Sequence, residues 1–156
     1  MRVFASLLLS AAVGLTSAAA LAAPAKATPA AEQITVTAVR ARAMPPAAPN
    51  SAAFMTLVNA GPATALVAAH AKVSKAVELH THTNVDGVMQ MRRVPKIPLP
   101  TKEEVVLKPG GLHIMLIGLV APLEVGKSFE LTLEFEDGSK KTLTVPVQEI
   151  LPPHGH

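Results

Sequence analysis

The sequence predicts an all-β domain with a Greek-key sandwich or barrel architecture. Two segments, residues 34–39 and 129–135, alternate apolar and polar side chains at a period of two, which is typical of half-buried strands. Turn residues such as Gly61-Pro62 and Asp137-Gly138 recur along the chain, and short strands with turns about every 8–12 residues are typical of sandwiches and barrels. No segment has a convincing helical period, so we expect little or no helix.

The remaining strands follow in order between these turns. They are predicted at residues 52–58, 65–69, 76–82, 89–94, 105–107, 112–116 and 142–147. Pro95, Pro98 and Pro100 lie between two of these strands. Because proline cannot donate a backbone hydrogen bond to a neighbouring strand, we predict a loop there.

The chain is expected to be an exported single-domain protein. Residues 1–22 are predicted to be a signal peptide, because they contain an apolar run at residues 3–13 and an Ala20-Leu21-Ala22 cleavage pattern. That run is shorter than the roughly 20 residues of a membrane span, so we expect none after cleavage. Residues 23–32 form a predicted flexible leader, 33–150 one β-domain and 151–156 a short histidine-containing tail. We expect a monomer in the periplasm.

Composition excludes several classes of function. The chain has no cysteine, which rules out disulfides, thiolate zinc sites, iron–sulfur ligation and the cysteine-containing blue-copper site. The formal net charge is only +3, and tyrosine and tryptophan are absent. Nucleic-acid binding is therefore not expected, because it requires a concentrated basic surface and usually aromatic stacking.

Three pairs of metal-competent side chains occur at strand spacing. They are His80 with His82, Met89 with Met91, and His113 with Met115. Residues i and i+2 of a strand leave the same face, so each pair aims two side chains in one direction. Thioether sulfur is a soft ligand and imidazole a borderline one, and this mixture favours copper, above all Cu(I).

The first two pairs are expected to meet across a hairpin. If residues 84–87 form a four-residue loop, His82 faces Met89 and His80 faces Met91, with all four side chains on one face. Farther along the chain, His113 and Met115 are expected to point outward or into a loop-built pocket. Their neighbour Ile114 should face the core.

These residues resemble the PCu(A)C family of periplasmic copper chaperones. The family pattern is His, ten residues, Met, twenty-one residues, then His-x-Met. The chain matches this pattern at His80, Met91 and the segment His113-Ile114-Met115, and the likeness covers roughly residues 33–148. Phe54 is a departure, since many relatives have tyrosine there.

The resemblance implies a cupredoxin-like β-barrel that binds one Cu(I) and helps assemble the copper centres of cytochrome c oxidase. It implies His80, Met91, His113 and Met115 as the four ligands. His82 and Met89 then become neighbouring or alternative ligands. The acceptor would be an oxidase subunit or another copper chaperone, and the protein would not be an enzyme.

Three further hypotheses remain open from the sequence. His154 and His156 form a His-x-His tail that is a candidate Cu(II) site. Copper buffering or resistance would use the same ligands without handing the metal on. A small copper or zinc enzyme belongs to another class, and the two methionines argue against it, because such enzymes rely on histidine and carboxylate ligands.

Overall fold

The structure is a computed structural model that describes residues 25–151. The predicted signal peptide and the tail histidines His154 and His156 lie outside the described residues. The described part contains one short helix and ten strands, which follow in chain order: α1 Ala30–Gln33, β1 Ile34–Arg42, β2 Asn50–Asn59, β3 Thr64–Ala71, β4 Ser74–Val85, β5 Val88–Arg93, β6 Ile97–Leu99, β7 Glu104–Leu107, β8 His113–Leu119, β9 Ser128–Phe135 and β10 Lys140–Gln148. The predicted all-β fold is confirmed.

The strands form a continuous hydrogen-bonded path with two open ends. Its order is β5-β4-β8-β2-β1-β10-β9-β3-β6, and β7 pairs with β2 beside β8. The only parallel contact on this path of described strands joins β1 to β10, where Ala41 lies opposite Val147. This contact links a group of strands around β2 and β8 to a second group around β9 and β3.

Both groups contribute to one hydrophobic core. Ile114 and Leu116 of β8 and Phe135 of β9 have no exposed surface, and all belong to the same buried cluster. Full burial of an aliphatic or aromatic side chain contributes about 1.5–3 kcal/mol. The sheet faces are therefore fixed by apolar burial, as the alternating sequence pattern predicted.

The β4–β5 hairpin has a different register from the one predicted. Its loop is the two-residue turn Asp86-Gly87, with φ angles of 53° and 81°, rather than a four-residue loop. Positive φ at both positions is the signature of a type I′ turn, whose twist matches that of the flanking strands. The pairs are consequently His82 with Met91 and Asn84 with Met89. The shift is two residues, so the predicted face of every side chain is preserved.

The proline-containing segment is also more regular than predicted. Ile97–Leu99 forms β6 and pairs antiparallel with β3, with Pro98 opposite Ala65. Because β6 lies at one end of the sheet path, the missing N–H of Pro98 interrupts no inner strand pairing. The predicted loop at this position was wrong.

The short helix α1 overlaps the end of the predicted leader. Its first two N–H groups are bound by the β9–β10 turn: Ala30 donates to Asp137 Oδ2 at 2.7 Å, and Ala31 donates to Ser139 Oγ at 3.0 Å. Ala30 is buried. Residues 25–151 contain no helix with the length and apolar character that a transmembrane helix requires.

Candidate metal centre

The predicted metal-competent side chains converge on one face of three neighbouring strands. Strand β4 lies between β5 and β8. His80 is directly opposite His113 across the β4–β8 pairing, and His82 is directly opposite Met91 across the β4–β5 pairing. Directly opposed side chains on one face have Cβ atoms about 4.5–5.5 Å apart. Residues from distant parts of the chain are thus brought to a single place.

A cavity of about 270 Å³ opens beside these strands. Two imidazoles and three thioethers contribute to its wall, and no carboxylate does so within the described residues. The full set of lining residues is Arg42, Met44, Asn50, Ser51, Ala52, Phe54, His82, Met91, Pro109, Gly110, His113 and Met115.

The three histidine rings form a close group. The ring centroids of His82 and His113 are 5.1 Å apart, and those of His80 and His113 are 5.8 Å apart. The ring of Phe54 lies 6.4 Å from that of His113. His113 is only 2% exposed and lines the cavity. Of the two orientations predicted for it, outward or into a pocket, the structure shows the second.

His113 is oriented so that one defined nitrogen is free for a ligand. Its Nδ1 is 3.0 Å from the carbonyl oxygen of Gly111. A carbonyl can only accept a hydrogen bond, so Nδ1 carries the proton and Nε2 keeps its lone pair. Burial lowers the pKa of the His113 imidazole, the Gly111 hydrogen bond opposes this, and nearby His82, His80 and Arg42 lower the pKa further. The ring is therefore held in the neutral form that binds metals.

His80 is held on its other side by a carboxylate. Its Nε2 donates a hydrogen bond to Glu78 Oε2 at 2.8 Å, and Arg93 lies 3.7 Å from the second oxygen of Glu78. The hydrogen bond from His80 lowers the pKa of the Glu78 carboxyl, as does Arg93, against an opposing effect of desolvation. Glu78 thus fixes the His80 ring with Nδ1 as its free nitrogen.

Unpartnered buried nitrogens are concentrated here. Within the described residues, the buried side-chain nitrogens that lack a hydrogen-bond partner are Nδ1 of His80, Nδ1 of His82 and Nε of Arg42. Leaving a buried polar atom unpaired costs about 1–3 kcal/mol. Such atoms are rare in native proteins and call for an explanation. Two free imidazole nitrogens beside the free Nε2 of His113 are suited to binding a metal ion.

Nitrogen and oxygen ligands alone do not complete a ready-made site. Residues 25–151 contain no group of three or more His, Cys, Asp or Glu side chains arranged to hold a metal ion. A metal ion held at this place would therefore have to use thioether ligands as well. Met91 and Met115 line the cavity. Met89 lies opposite Asn84, is 55% exposed and is not among the lining residues.

Two lining residues were missed by the sequence analysis. Met44 forms an isolated bridge with Leu123, and Arg42 ends β1 with its guanidinium carbon 5.7 Å from the centroid of Phe54. Neither belongs to a pair of histidine or methionine residues at strand spacing. Only the tertiary pairing of β2 with both β1 and β8 brings them to the cavity.

Comparison with known proteins assigns the chain to a family. The family model described as "Putative lipoprotein LpqE-like" matches residues 34–147. A curated relative named "Putative lipoprotein Lxx21020", from Leifsonia xyli subsp. xyli, is 38% identical over 101 residues, which are 64% of this chain and 61% of that protein. The chain therefore matches somewhat less than two thirds of that relative's length.

Two solved structures share the fold. One is a copper-bound PCuAC domain from PmoF2, with a TM-score of 0.64 and 24% identity, covering 76% of this chain and 94% of that one. The other is the solution structure of CuI-DR1885 from Deinococcus radiodurans, with a TM-score of 0.61 and 32% identity, covering 76% and 82%. Because the family model spans nearly all of the β-domain, these findings show that the chain belongs to the LpqE-like family, and it shares the fold of solved PCuAC domains, as the resemblance of the His-Met pattern implied.

Proposed function

We propose that this protein is an exported periplasmic copper chaperone that binds one Cu(I) ion and delivers it to the copper centres of cytochrome c oxidase. The proposed ligands are His80, Met91, His113 and Met115, with His82 and Met89 beside them. The protein acts by ligand exchange and not as an enzyme.

The observation that carries the proposal is the donor set of the cavity. Imidazole and thioether groups line it, while Asp, Glu and Cys are absent from the described lining residues. Soft and borderline neutral ligands select Cu(I) over the hard cations that prefer oxygen. A catalytic zinc site would instead be expected to use histidine with carboxylate or thiolate ligands.

The same ligands suit transfer of the ion. Two imidazoles and two thioethers are all neutral, so the bound ion keeps its full positive charge. Met91 is 45% exposed, which leaves one side of the site open to an acceptor. An acceptor that offers thiolates or additional imidazoles can therefore displace the ligands one at a time.

The comparisons support copper as the cargo. The relative DR1885, 32% identical, is described in a Cu(I)-bound form, and the PmoF2 domain in a copper-bound form. The lipoprotein names of the matching family and relative also agree with export.

An anaerobic Cu(I) titration followed by X-ray absorption spectroscopy tests the ligand chemistry. The mature protein should bind one equivalent in a mixed nitrogen and sulfur shell. Met91→Leu and Met115→Leu should each remove sulfur from that shell, because each replaces a cavity thioether. Met89→Leu is the matched control and should leave the shell unchanged. A nitrogen-only shell in the unaltered protein would reject the proposal.

Transfer distinguishes a chaperone from a buffer. Cu(I)-loaded protein is mixed with a copper-free fragment of oxidase subunit II, and the two proteins are then separated. Most of the copper should be found on the fragment. Retention of the copper by this protein would indicate buffering or resistance instead.

The tail is proposed as a separate, weaker Cu(II) site formed by His154 and His156. Deleting residues 154–156 should lower the Cu(II) stoichiometry and leave Cu(I) binding unchanged. Equal Cu(II) stoichiometry with and without the tail would remove this part of the proposal.

A further inference from the structure

Strand β5 is an accessible edge of the sheet path. It lies at one end of that path, and all six of its residues are exposed. Strand β6, at the other end, has only three residues, contains Pro98 and buries Ile97 and Leu99. Proteins usually protect edge strands from pairing with other chains by short length, proline or bulges. Because β5 has no proline and pairs with β4 without a register shift, its outer edge can accept another strand.

Exposed apolar side chains are concentrated on the β4–β5 hairpin. Eight large apolar side chains are exposed within residues 25–151, and half of them are Val85, Val88, Met89 and Met91. Met89 and Met91 lie on the face of the hairpin that borders the cavity, whereas Val85 and Val88 lie opposite each other on the reverse face. Such a concentration of exposed apolar surface is typical of a contact site for another protein.

The turn geometry determines which backbone groups of β5 face the open edge. Val88 flanks the two-residue loop, so it exchanges backbone hydrogen bonds with β4, and bonded pairs then alternate with non-bonded pairs along the hairpin. The N–H of Val94, which also bonds to β4 at 2.8 Å, follows the same alternation. The N–H and C=O groups of Met89, Met91 and Arg93 therefore point away from β4, toward the open edge.

This edge is next to the proposed copper ligands. Met91 lies directly opposite His82 and lines the cavity. A strand added to the outer edge of β5 lies about 4.8 Å from it. The residue of that strand opposite Met91 projects from the same face as the Met91 thioether, so a metal-binding side chain at that position can reach the ion.

The edge is positively charged at one end. Arg92 and Arg93 end β5, and the Arg93 side chain is 71% exposed and lies 3.7 Å from Glu78. Exposed ion pairs of this kind contribute little, so Arg93 can also pair with a carboxylate on a partner. The acidic Asp86 is at the turn, and the favourable place for that carboxylate is therefore the Arg93 end.

We propose that the copper acceptor docks by adding an extended segment to the open edge of β5. The segment carries a thiolate or imidazole opposite Met91 and a carboxylate opposite Arg93, two residues away on the same face. In this mode of recognition, main-chain hydrogen bonds provide affinity and alternate side chains provide specificity. The inference rests on the proposed function, since it assumes that Met91 is a ligand and that the ion is handed on.

Hydrogen exchange in the unaltered protein tests the mode of docking. The copper-free, ¹⁵N-labelled protein is mixed with an unlabelled, copper-free fragment of oxidase subunit II, and the exchange of each amide with deuterium is followed by NMR. The amides of Met89, Met91 and Arg93 should exchange more slowly, because they acquire hydrogen bonds. The alternate amides of β5, which are already bonded to β4, should change much less.

Three results of this experiment would overturn the inference. One is equal protection of all six β5 amides, and another is no protection of β5 at all. The third is the same alternating protection in the protein alone, increasing with its concentration, which would identify a second copy of this chain as the occupant of the edge.

Met89→Pro tests the backbone contribution. Proline removes an N–H that faces the open edge and no hydrogen bond to β4, so the hairpin should be retained. Transfer of Cu(I) to the fragment should be about three- to tenfold slower than from Met89→Leu, which corresponds to the loss of one hydrogen bond. Both variants lack the thioether, so the difference between them reports the N–H alone.

Equal transfer rates from Met89→Pro and Met89→Leu would contradict docking at this edge. Nuclear Overhauser effects between β4 and β5 show whether the hairpin of the proline variant is intact. If it is not, the exchange pattern of the unaltered protein decides the question.

The charge of Arg93 is tested separately. Arg93→Gln should slow transfer and make its rate less dependent on salt, because charges at the rim of an interface steer association. Lys140→Gln is the control, since Lys140 is an exposed cation on β10 that pairs with Glu134. Equal effects of the two substitutions would show a general effect of net charge and contradict a carboxylate opposite Arg93.

The two proposals fail differently. If Cu(I) moves to the fragment while the β5 amides stay unprotected, only this inference is lost. If the unaltered protein binds no Cu(I) or retains it, the proposed function fails and this inference with it.

Discussion

His82 lies directly opposite Met91 across the β4–β5 hairpin, and the turn at Asp86-Gly87 sets this pairing. Both turn residues have positive φ, and Gly87 has φ 81° with open space around the position where a Cβ would lie. The hairpin register, and with it the partner of His82, therefore depends on a local backbone conformation and not on side-chain packing at the turn.

Replacing Gly87 should consequently disturb the site through the backbone. We expect Gly87→Val to destabilise the hairpin by about 1–2 kcal/mol, because a left-handed conformation is costly for residues other than glycine. Cu(I) affinity should fall as the pairing of His82 with Met91 is lost from part of the population. Cross-strand nuclear Overhauser effects between β4 and β5 report the register. Gly87→Asn is the control, since asparagine tolerates this conformation, and equal losses in both variants would contradict the explanation.

The residue between His113 and Met115 supports them from the core. Ile114 has no exposed surface, whereas Val106 on β7 is 42% exposed. Ile114→Ala should lower the free energy of unfolding by about 2–5 kcal/mol, as is usual when a large buried side chain is removed. Val106→Ala should change it by no more than about 0.5 kcal/mol. Chemical denaturation of the copper-free protein measures both values, and similar losses would show that β8 is not packed as described.

A positive charge beside the cavity should weaken copper binding. Arg42 lines the cavity and its Nε has no hydrogen-bond partner. Arg42→Gln should tighten Cu(I) binding by roughly three- to tenfold, because repulsion between nearby unit charges is on the order of 1 kcal/mol even in water. Arg40 also lies over the ring of Phe54, at 5.8 Å, but is not among the lining residues. Arg40→Gln should therefore leave the affinity unchanged; weaker binding in Arg42→Gln would mean that Arg42 supports the site.

The strength with which α1 is held by the β9–β10 turn should depend on pH. The hydrogen bond from Ala30 lowers the pKa of the Asp137 carboxyl, and two hydrogen bonds from Ser139 act in the same direction. A carboxyl with a lowered pKa in the folded state stabilises the protein above its unfolded-state value of about 3.9, and this contribution is lost as the pH falls through the folded-state pKa.

Asp137→Asn isolates this charge, because asparagine keeps the shape and one oxygen acceptor. The variant should melt at a lower temperature than the unaltered protein above about pH 5. The difference should shrink as the pH falls below about 4. Glu136→Gln is the control: its carboxylate pairs with Lys96 on the surface, and such exposed pairs contribute little. A melting difference for Asp137→Asn that does not vary with pH would contradict the role of the charge.

The sequence by itself determined most of the strands and the faces of their side chains. The alternation at 34–39 and 129–135 and the i, i+2 spacing of the His and Met pairs are local properties, since successive strand residues point to opposite faces. For this reason the shared face of His80, His82, Met89 and Met91 survives a two-residue change in register. The preference of the imidazole and thioether groups for copper could also be predicted from the sequence, because it follows from residue type alone.

Only the tertiary structure decided which of these residues meet. The prolines led to the prediction of a loop where β6 lies. An edge strand tolerates a residue that cannot donate a hydrogen bond, and only the tertiary structure shows that β6 is at the edge. The pairing of His80 with His113 and the approach of Arg42 and Met44 to the cavity depend on contacts between strands distant in sequence. Such contacts are selected by burial of the whole core and by turn geometry. Spacing within one strand cannot reveal them.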